Sequence, residues 1–144
     1  VPVCTDNRLH AWEWLVAGDR LVKTDALDHH AAHDLIGCQD LAWDVAGTTV
    51  EFALGPDARD RLCAFAEREA GRPLVPRLIE FLTVCYLAFQ LGSFTLAVRA
   101  NAHDHGEAAR LRAAAGSYAD VLRRRLVEEP AMGRTADTPS ASVC

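Results

Sequence analysis

Between Glu80 and Arg99 the chain runs for 18 residues, Phe81 to Val98, without a charged side chain. A stretch of that length and composition is stable in two ways, as a helix packed among other helices or as a helix that crosses a bilayer. Thr83, Gln90, Gly92, Ser93 and Thr95 interrupt the run and favour the first. The helical pattern around it extends from Pro76 to about Asn101. The reading is therefore the central buried helix of a helical lobe, and a membrane span is disfavoured.

Helical signals surround that segment. From Asp40 onward, Leu41, Val45, Thr48 and Phe52 form one stripe and Trp43, Ala46, Val50 and Ala53 a second. Two stripes predict a helix buried on most sides. Asp40 stands where a cap or first-turn acid belongs, and Gly55-Pro56 ends the pattern. Asp57 is placed to cap the next helix, whose inner face is Ala58, Leu62, Phe65 and Ala66. Gly71-Arg72-Pro73 stops that helix. Asp104 to Glu129 predicts a last amphipathic helix with Leu111, Ala114, Ala115, Tyr118, Val121, Leu122 and Leu126 on its apolar side. Residues 130–144, rich in Pro, Ser, Thr and Ala, read as a disordered tail.

The first forty residues differ. Trp12 to Val16 and Arg20 to Thr24 are short apolar runs around Ala17-Gly18-Asp19, a hairpin signal. Asp25 to Gln39 has no clean period and reads as a loop. Trp12, Trp14 and Trp43 are expected to pack the hairpin onto the first helix, their N–H groups finding partners. The fold class is thus mainly α with a small N-terminal β-hairpin.

Net charge is −5 and the longest basic run is Arg123-Arg124-Arg125, which reads as a solvated face near a helix C-terminus. No nucleic-acid partner is expected, because phosphate backbones are bound by clustered cations. Five cysteines, at 4, 38, 63, 85 and 144, are widely spaced and odd in number. They read as reduced thiols in a cytoplasmic protein, with Cys63 and Cys85 as small core residues. The chain begins with Val and shows no signal peptide; its start just ahead of a motif-rich stretch leads to the expectation that it is truncated at the N-terminus.

That stretch, Asp6 to Gly47, concentrates Asp, His and Glu on loops, where a rigid scaffold carries chemistry. Its order of loop, strand, turn, strand, acidic loop and helix resembles the catalytic and metal-binding loops of kinase-like phosphotransferases of the aminoglycoside and choline kinase type. Arg8-Leu9-His10-Ala11-Trp12-Glu13-Trp14 is similar to that family's Asp-Leu-His-Pro-Gly-Asn-Val. Leu9 and His10 match; Arg8 replaces the catalytic Asp and Glu13 the Asn. Asp6, two residues upstream, supplies the carboxylate if the loop is shifted. Leu21-Val22-Lys23-Thr24-Asp25 resembles the family's strand ending in the metal-binding Asp. Gln39-Asp40-Leu41-Ala42-Trp43-Asp44-Val45-Ala46 resembles its Gly-Asp-Pro-x-Tyr-Asp-Leu-Ala.

The resemblance implies the C-terminal helical lobe of the protein-kinase-like fold over residues 1–129, with a nucleotide-binding lobe missing upstream. It implies ATP-dependent phosphorylation of a small-molecule hydroxyl, with Mg²⁺ and ATP as cofactors. Asp6 and His10 would be catalytic or line the acceptor site, and Asp25 and Glu13 would hold Mg²⁺. Asp44 would brace the catalytic loop, with Asp40 beside it. His29, His30 and His33 would border the acceptor.

Two other classes remain open. His29 and His33 are four apart, a spacing that on a helix can hold Zn²⁺, with a third ligand from Asp25, Asp40 or His10; this is a zinc hydrolase-like reading. His103 and His105 read as surface residues. The third class is a non-catalytic helical interaction domain or pseudo-kinase.

Overall fold

Gly18 takes a left-handed φ of 67° at the tip of the hairpin. A two-residue connection with glycine first needs that conformation, and its twist matches the flanking strands. The computed structural model, which describes residues 2–25 and 37–128, pairs β1 (Trp14–Ala17) antiparallel with β2 (Arg20–Lys23). The register sets Trp14 opposite Lys23 and Leu15 opposite Val22. The first strand starts two residues later than the apolar run suggests. Ala11–Glu13 form a single 3₁₀ turn instead, closed by the Glu13 N–H on the His10 carbonyl at 3.0 Å. The second strand ends one residue early, at Lys23, but Thr24 still donates its N–H (2.9 Å) and hydroxyl (3.0 Å) to the Glu13 carbonyl.

Four helices follow: α1 (Ala42–Glu51), α2 (Pro56–Ala70), α3 (Pro76–Ala100) and α4 (His105–Glu128). Helix accounts for 66% of the described residues, so the fold is mainly α with one small hairpin. The tail at 130–144 lies outside the described residues.

Capping explains most boundaries. Asp40 lies just ahead of α1 and accepts the Ala42 N–H at 3.0 Å. The first helix is shorter than its stripes imply, because Ala53 turns to a φ of 46° after Phe52. Gly55, not Asp57, is the N-cap of α2; Pro56 takes the first helical position, where its missing N–H costs nothing, and Asp57 falls in the first turn. Gly71, at φ 64°, closes the C-terminus, with the Arg72 N–H returning to the Glu67 carbonyl at 3.2 Å. The Asp104 carboxylate accepts the Glu107 N–H at 3.0 Å at the start of α4, and Asp-x-x-Glu is the spacing of a capping box.

The described residues fall into two compact units, up to residue 89 and from residue 90 to 128, with the boundary inside α3. In the first, Ala42, Val45, Ala66, Leu74 and Ile79 form the core, flanked by Leu41, Leu62, Cys63, Leu78 and Leu82. A second packing site joins Trp43 to Tyr86 (5.4 Å between rings) and Phe89 (6.2 Å). In the second unit, Phe94 stacks on Tyr118 at 5.5 Å, and Ala108 and Leu111 are buried.

Several burial expectations fail. Only 22% of the most apolar window of α3 is buried, with Tyr86 and Leu87 inside and Phe81 and Leu96 outside. The rest of the described chain covers only a minor part of this apolar run. The helix is also long and apolar enough to cross a membrane. Phe65 and Leu126 are exposed, and Cys63 and Cys85 are half-buried rather than internal. Of the three tryptophans, Trp14 meets Phe52 edge-on at 6.1 Å, but Trp12 is exposed. The buried indole nitrogens of Trp14 and Trp43 make no hydrogen bond among the described residues. His103 and His105 are exposed, as are Arg123 and Arg124.

Candidate functional site

The segment before the hairpin is held by α1. Asp44, on the first turn of that helix, accepts the Asp6 N–H at 2.9 Å and the Asn7 N–H at 3.3 Å. Asn7 sits at φ 62°, a region that Asn tolerates better than most residues. The turn sends its side chain inward, where Nδ2 donates to the Gly37 carbonyl at 3.0 Å. The Thr5 hydroxyl donates to the same carbonyl at 3.1 Å. Val3 and Gln39 form an antiparallel bridge, Val3 N–H to Gln39 carbonyl at 2.7 Å. Thr5, Asn7 and Leu9 are buried, so the backbone around Asp6 is fastened on both sides while the Asp6 carboxylate stays 20% exposed.

The hairpin supplies the charge that faces this carboxylate. The Lys23 ammonium lies 3.2 Å from Asp6 Oδ1 and 2.9 Å from Glu13 Oε2. It also donates to the Asp25 backbone carbonyl and lies 6.0 Å from the Trp14 ring. Its side chain is only 8% exposed and that of Glu13 14%. An ammonium has three donors, and here Asp6, Glu13 and the Asp25 carbonyl take them. The register that sets Lys23 opposite Trp14, with Thr24 bonded to Glu13, brings these groups together.

Burial pushes the Asp44 carboxyl above its ordinary range; the two backbone N–H bonds oppose this, the Asp6 carboxylate adds to it and Lys23 opposes it. Asp40 moves the other way. Against a cost from desolvation, the Ala42 N–H and the Arg72 guanidinium, at 3.0 Å, hold it below its ordinary range.

Of the residues singled out in the sequence, the structure gathers Asp6, Glu13 and Asp44 around one loop, with Lys23 at their centre. Asp25 is exposed just past β2. His10 is half-buried and stacks flat on Trp12 at 4.3 Å. Asp40 pairs with Arg72 at the entrance to α1. His29, His30 and His33 lie outside the described residues. Among the described residues, no group of three or more His, Cys, Asp or Glu is placed to hold a metal ion.

Sequence reasoning overlooked Lys23, Asn7 and Gly37. Lys23 left one signal, a cation at the end of the apolar Leu21-Val22 pair in β2. Asn7 and Gly37 left only their ease in left-handed backbone.

In comparisons with known proteins, the chain matches no family model, no curated protein and no solved structure.

Proposed function

We propose that this chain is the catalytic-loop lobe of an ATP-dependent phosphotransferase that phosphorylates a small-molecule hydroxyl. The carrying observation is the Asp44 carboxylate gripping the consecutive N–H groups of Asp6 and Asn7. Phosphoryl transfer asks the protein mainly for positioning and charge. A carboxylate on a loop fastened by its own backbone, yet still open to solvent, is what orienting and deprotonating an acceptor hydroxyl requires. In this reading Asp6 takes that role, and Arg8 at the family's usual position is no obstacle.

Lys23 supplies the counter-charge that holds Asp6 and Glu13 side by side. Glu13 thereby serves the lysine, and Asp25 is the carboxylate offered to Mg²⁺. One or two carboxylates suffice for that ion when the phosphates of ATP complete its shell, and the exposure of Asp25 suits it to meet them. His10 and Trp12 flank the acceptor. This reading requires a nucleotide-binding lobe in addition to residues 1–129.

The test is Mg²⁺-dependent ATP turnover by the full-length protein against a panel of hydroxyl acceptors. Asp6→Asn should lower kcat by about 10²–10⁴-fold with MgATP binding retained. Asp25→Ala should abolish MgATP binding. Unchanged turnover in the first variant, or unchanged binding in the second, would sink the assignment.

A further inference from the structure

Cys4 and Cys38 are far apart in sequence and adjacent in space. Val3 and Gln39 form an antiparallel bridge with a direct hydrogen bond, and the next pair in that register is Cys4 and Cys38. A pair following a hydrogen-bonded pair is of the non-hydrogen-bonded kind, with Cα atoms about 4.5 Å apart. Disulfides span Cα separations of about 4.4–6.8 Å. Both residues are exposed and carry free thiols, and Cys4 acts electrostatically on the Cys38 thiol. The side chains of Thr5 and Asn7 both donate to the Gly37 carbonyl, which holds the two segments together beyond the pair.

We propose that Cys4 and Cys38 form a reversible disulfide that staples the Asp6-bearing segment to the segment leading into α1. The oxidant is a low-molecular-weight disulfide. One cysteine thiolate attacks a sulfur of that disulfide, forming a mixed disulfide and releasing one small thiol. The second cysteine thiolate attacks the protein sulfur of the mixed disulfide. The Cys4–Cys38 bond forms, the mixed bond breaks, and a second small thiol leaves. The two protons lost by the cysteines end on the two released thiols. The protein is oxidised by two electrons and the small disulfide reduced by two.

Local desolvation, together with the charge and hydrogen bond of Cys4, holds the Cys38 thiol above the ordinary cysteine range. Exchange should therefore quicken as the medium becomes more alkaline, since the thiolate is the attacking species. The bond would add to a hold on this segment that includes the Val3 bridge, the Gly37 carbonyl, Asp44 and Lys23. It does not depend on which reaction Asp6 serves.

The test is incubation of the full 144-residue chain in buffers of reduced and oxidised glutathione, followed by alkylation of remaining thiols and peptide mapping. The expected result is a cross-linked pair of peptides containing Cys4 and Cys38, a loss of two hydrogens per chain, and alkylated Cys63, Cys85 and Cys144. Cys4→Ser and Cys38→Ser should each abolish the cross-link. Amide exchange at Asp6 and Asn7 should slow in the oxidised chain and recover on reduction. Glutathione trapped on either cysteine without closure, or a bond to a different cysteine, overturns the pairing. A Cys4–Cys38 bond that leaves those two amides exchanging at the reduced rate overturns the stapling.

Discussion

The Asp44 carboxylate holds the backbone N–H of Asp6 at 2.9 Å across 38 residues of sequence. It also takes the neighbouring Asn7 N–H, so one side chain on α1 fixes two consecutive peptide units of the acid-bearing loop. Asp44→Ala would leave both donors without their acceptor. A part-buried group stranded in this way costs about 1–3 kcal/mol. Urea unfolding should show a lower midpoint with an unchanged slope, and the Asp6 and Asn7 amides should exchange faster. A variant as stable as the parent would show that the loop is held by its other contacts, those of Val3, Thr5, Asn7 and Lys23, without Asp44.

Asp44 and Asp40 should bend the pH profile of stability in opposite directions. Burial raises the folded-state value of Asp44, so between its unfolded and folded values the native state binds more protons. Stability then falls as pH rises through that window. Asp40 is lowered in the folded state, so its contribution is present above the unfolded value and is lost as pH falls through the folded one. Asp44→Asn should flatten the first limb and Asp40→Asn the second, as read from urea midpoints across the acid range. Both variants moving the same limb would refute the opposed assignment.

The helices were legible because their ends are punctuated by residues with local mechanisms: Gly55-Pro56, Gly71, Pro76 and Asp104. The 3₁₀ turn at Ala11–Glu13 was not, because one turn has no period and its apolar Trp12 looks like strand. Asp44 was legible only through motif resemblance. Lys23 was missed because its role depends on partners 10 and 17 residues away in the sequence, brought together by strand register and by the Asp44 brace. The face that α3 buries was hidden for a related reason. An uncharged run shows that a helix is apolar, but which side Tyr86 and Leu87 turn inward is set by elements elsewhere in the chain.

Lys23→Met should be among the most damaging single changes in the hairpin. The ammonium is nearly buried and neutralises two carboxylates, and removing it leaves Asp6 and Glu13 as close like charges. Breaking a buried pair in this way costs about 3–5 kcal/mol, and the partial exposure of Asp6 and Glu13 puts this case toward the lower figure. Lys23→Met combined with Glu13→Gln should recover part of the loss, because only one unpaired carboxylate remains. A double-mutant cycle by chemical denaturation measures this directly. Strict additivity of the two changes would mean that the ion pair contributes nothing in solution.

Gly47→Ala and Gly116→Ala should change stability with opposite signs, although both glycines lie inside helices. A methyl at Gly47 would meet Tyr86 Cε2 at 2.8 Å and Leu9 Cδ1 at 2.9 Å. Neither neighbour yields easily. The Tyr86 hydroxyl donates to Glu51 Oε1 at 2.8 Å and its ring packs on Trp43, while Leu9 is buried in the loop that carries Asp6. Overpacking of this kind costs about 1–3 kcal/mol, against a gain of about 1 kcal/mol from replacing glycine by alanine in a helix. At Gly116 a methyl meets nothing within 4 Å, so only the gain, about 0.5–1 kcal/mol, remains. Thermal unfolding should place Gly47→Ala below the parent and Gly116→Ala above it. Leu9→Ala in the Gly47→Ala background separates the two contacts: if the clash with Leu9 dominates, the double variant loses less than Leu9→Ala and Gly47→Ala do summed, and if Tyr86 dominates the losses add.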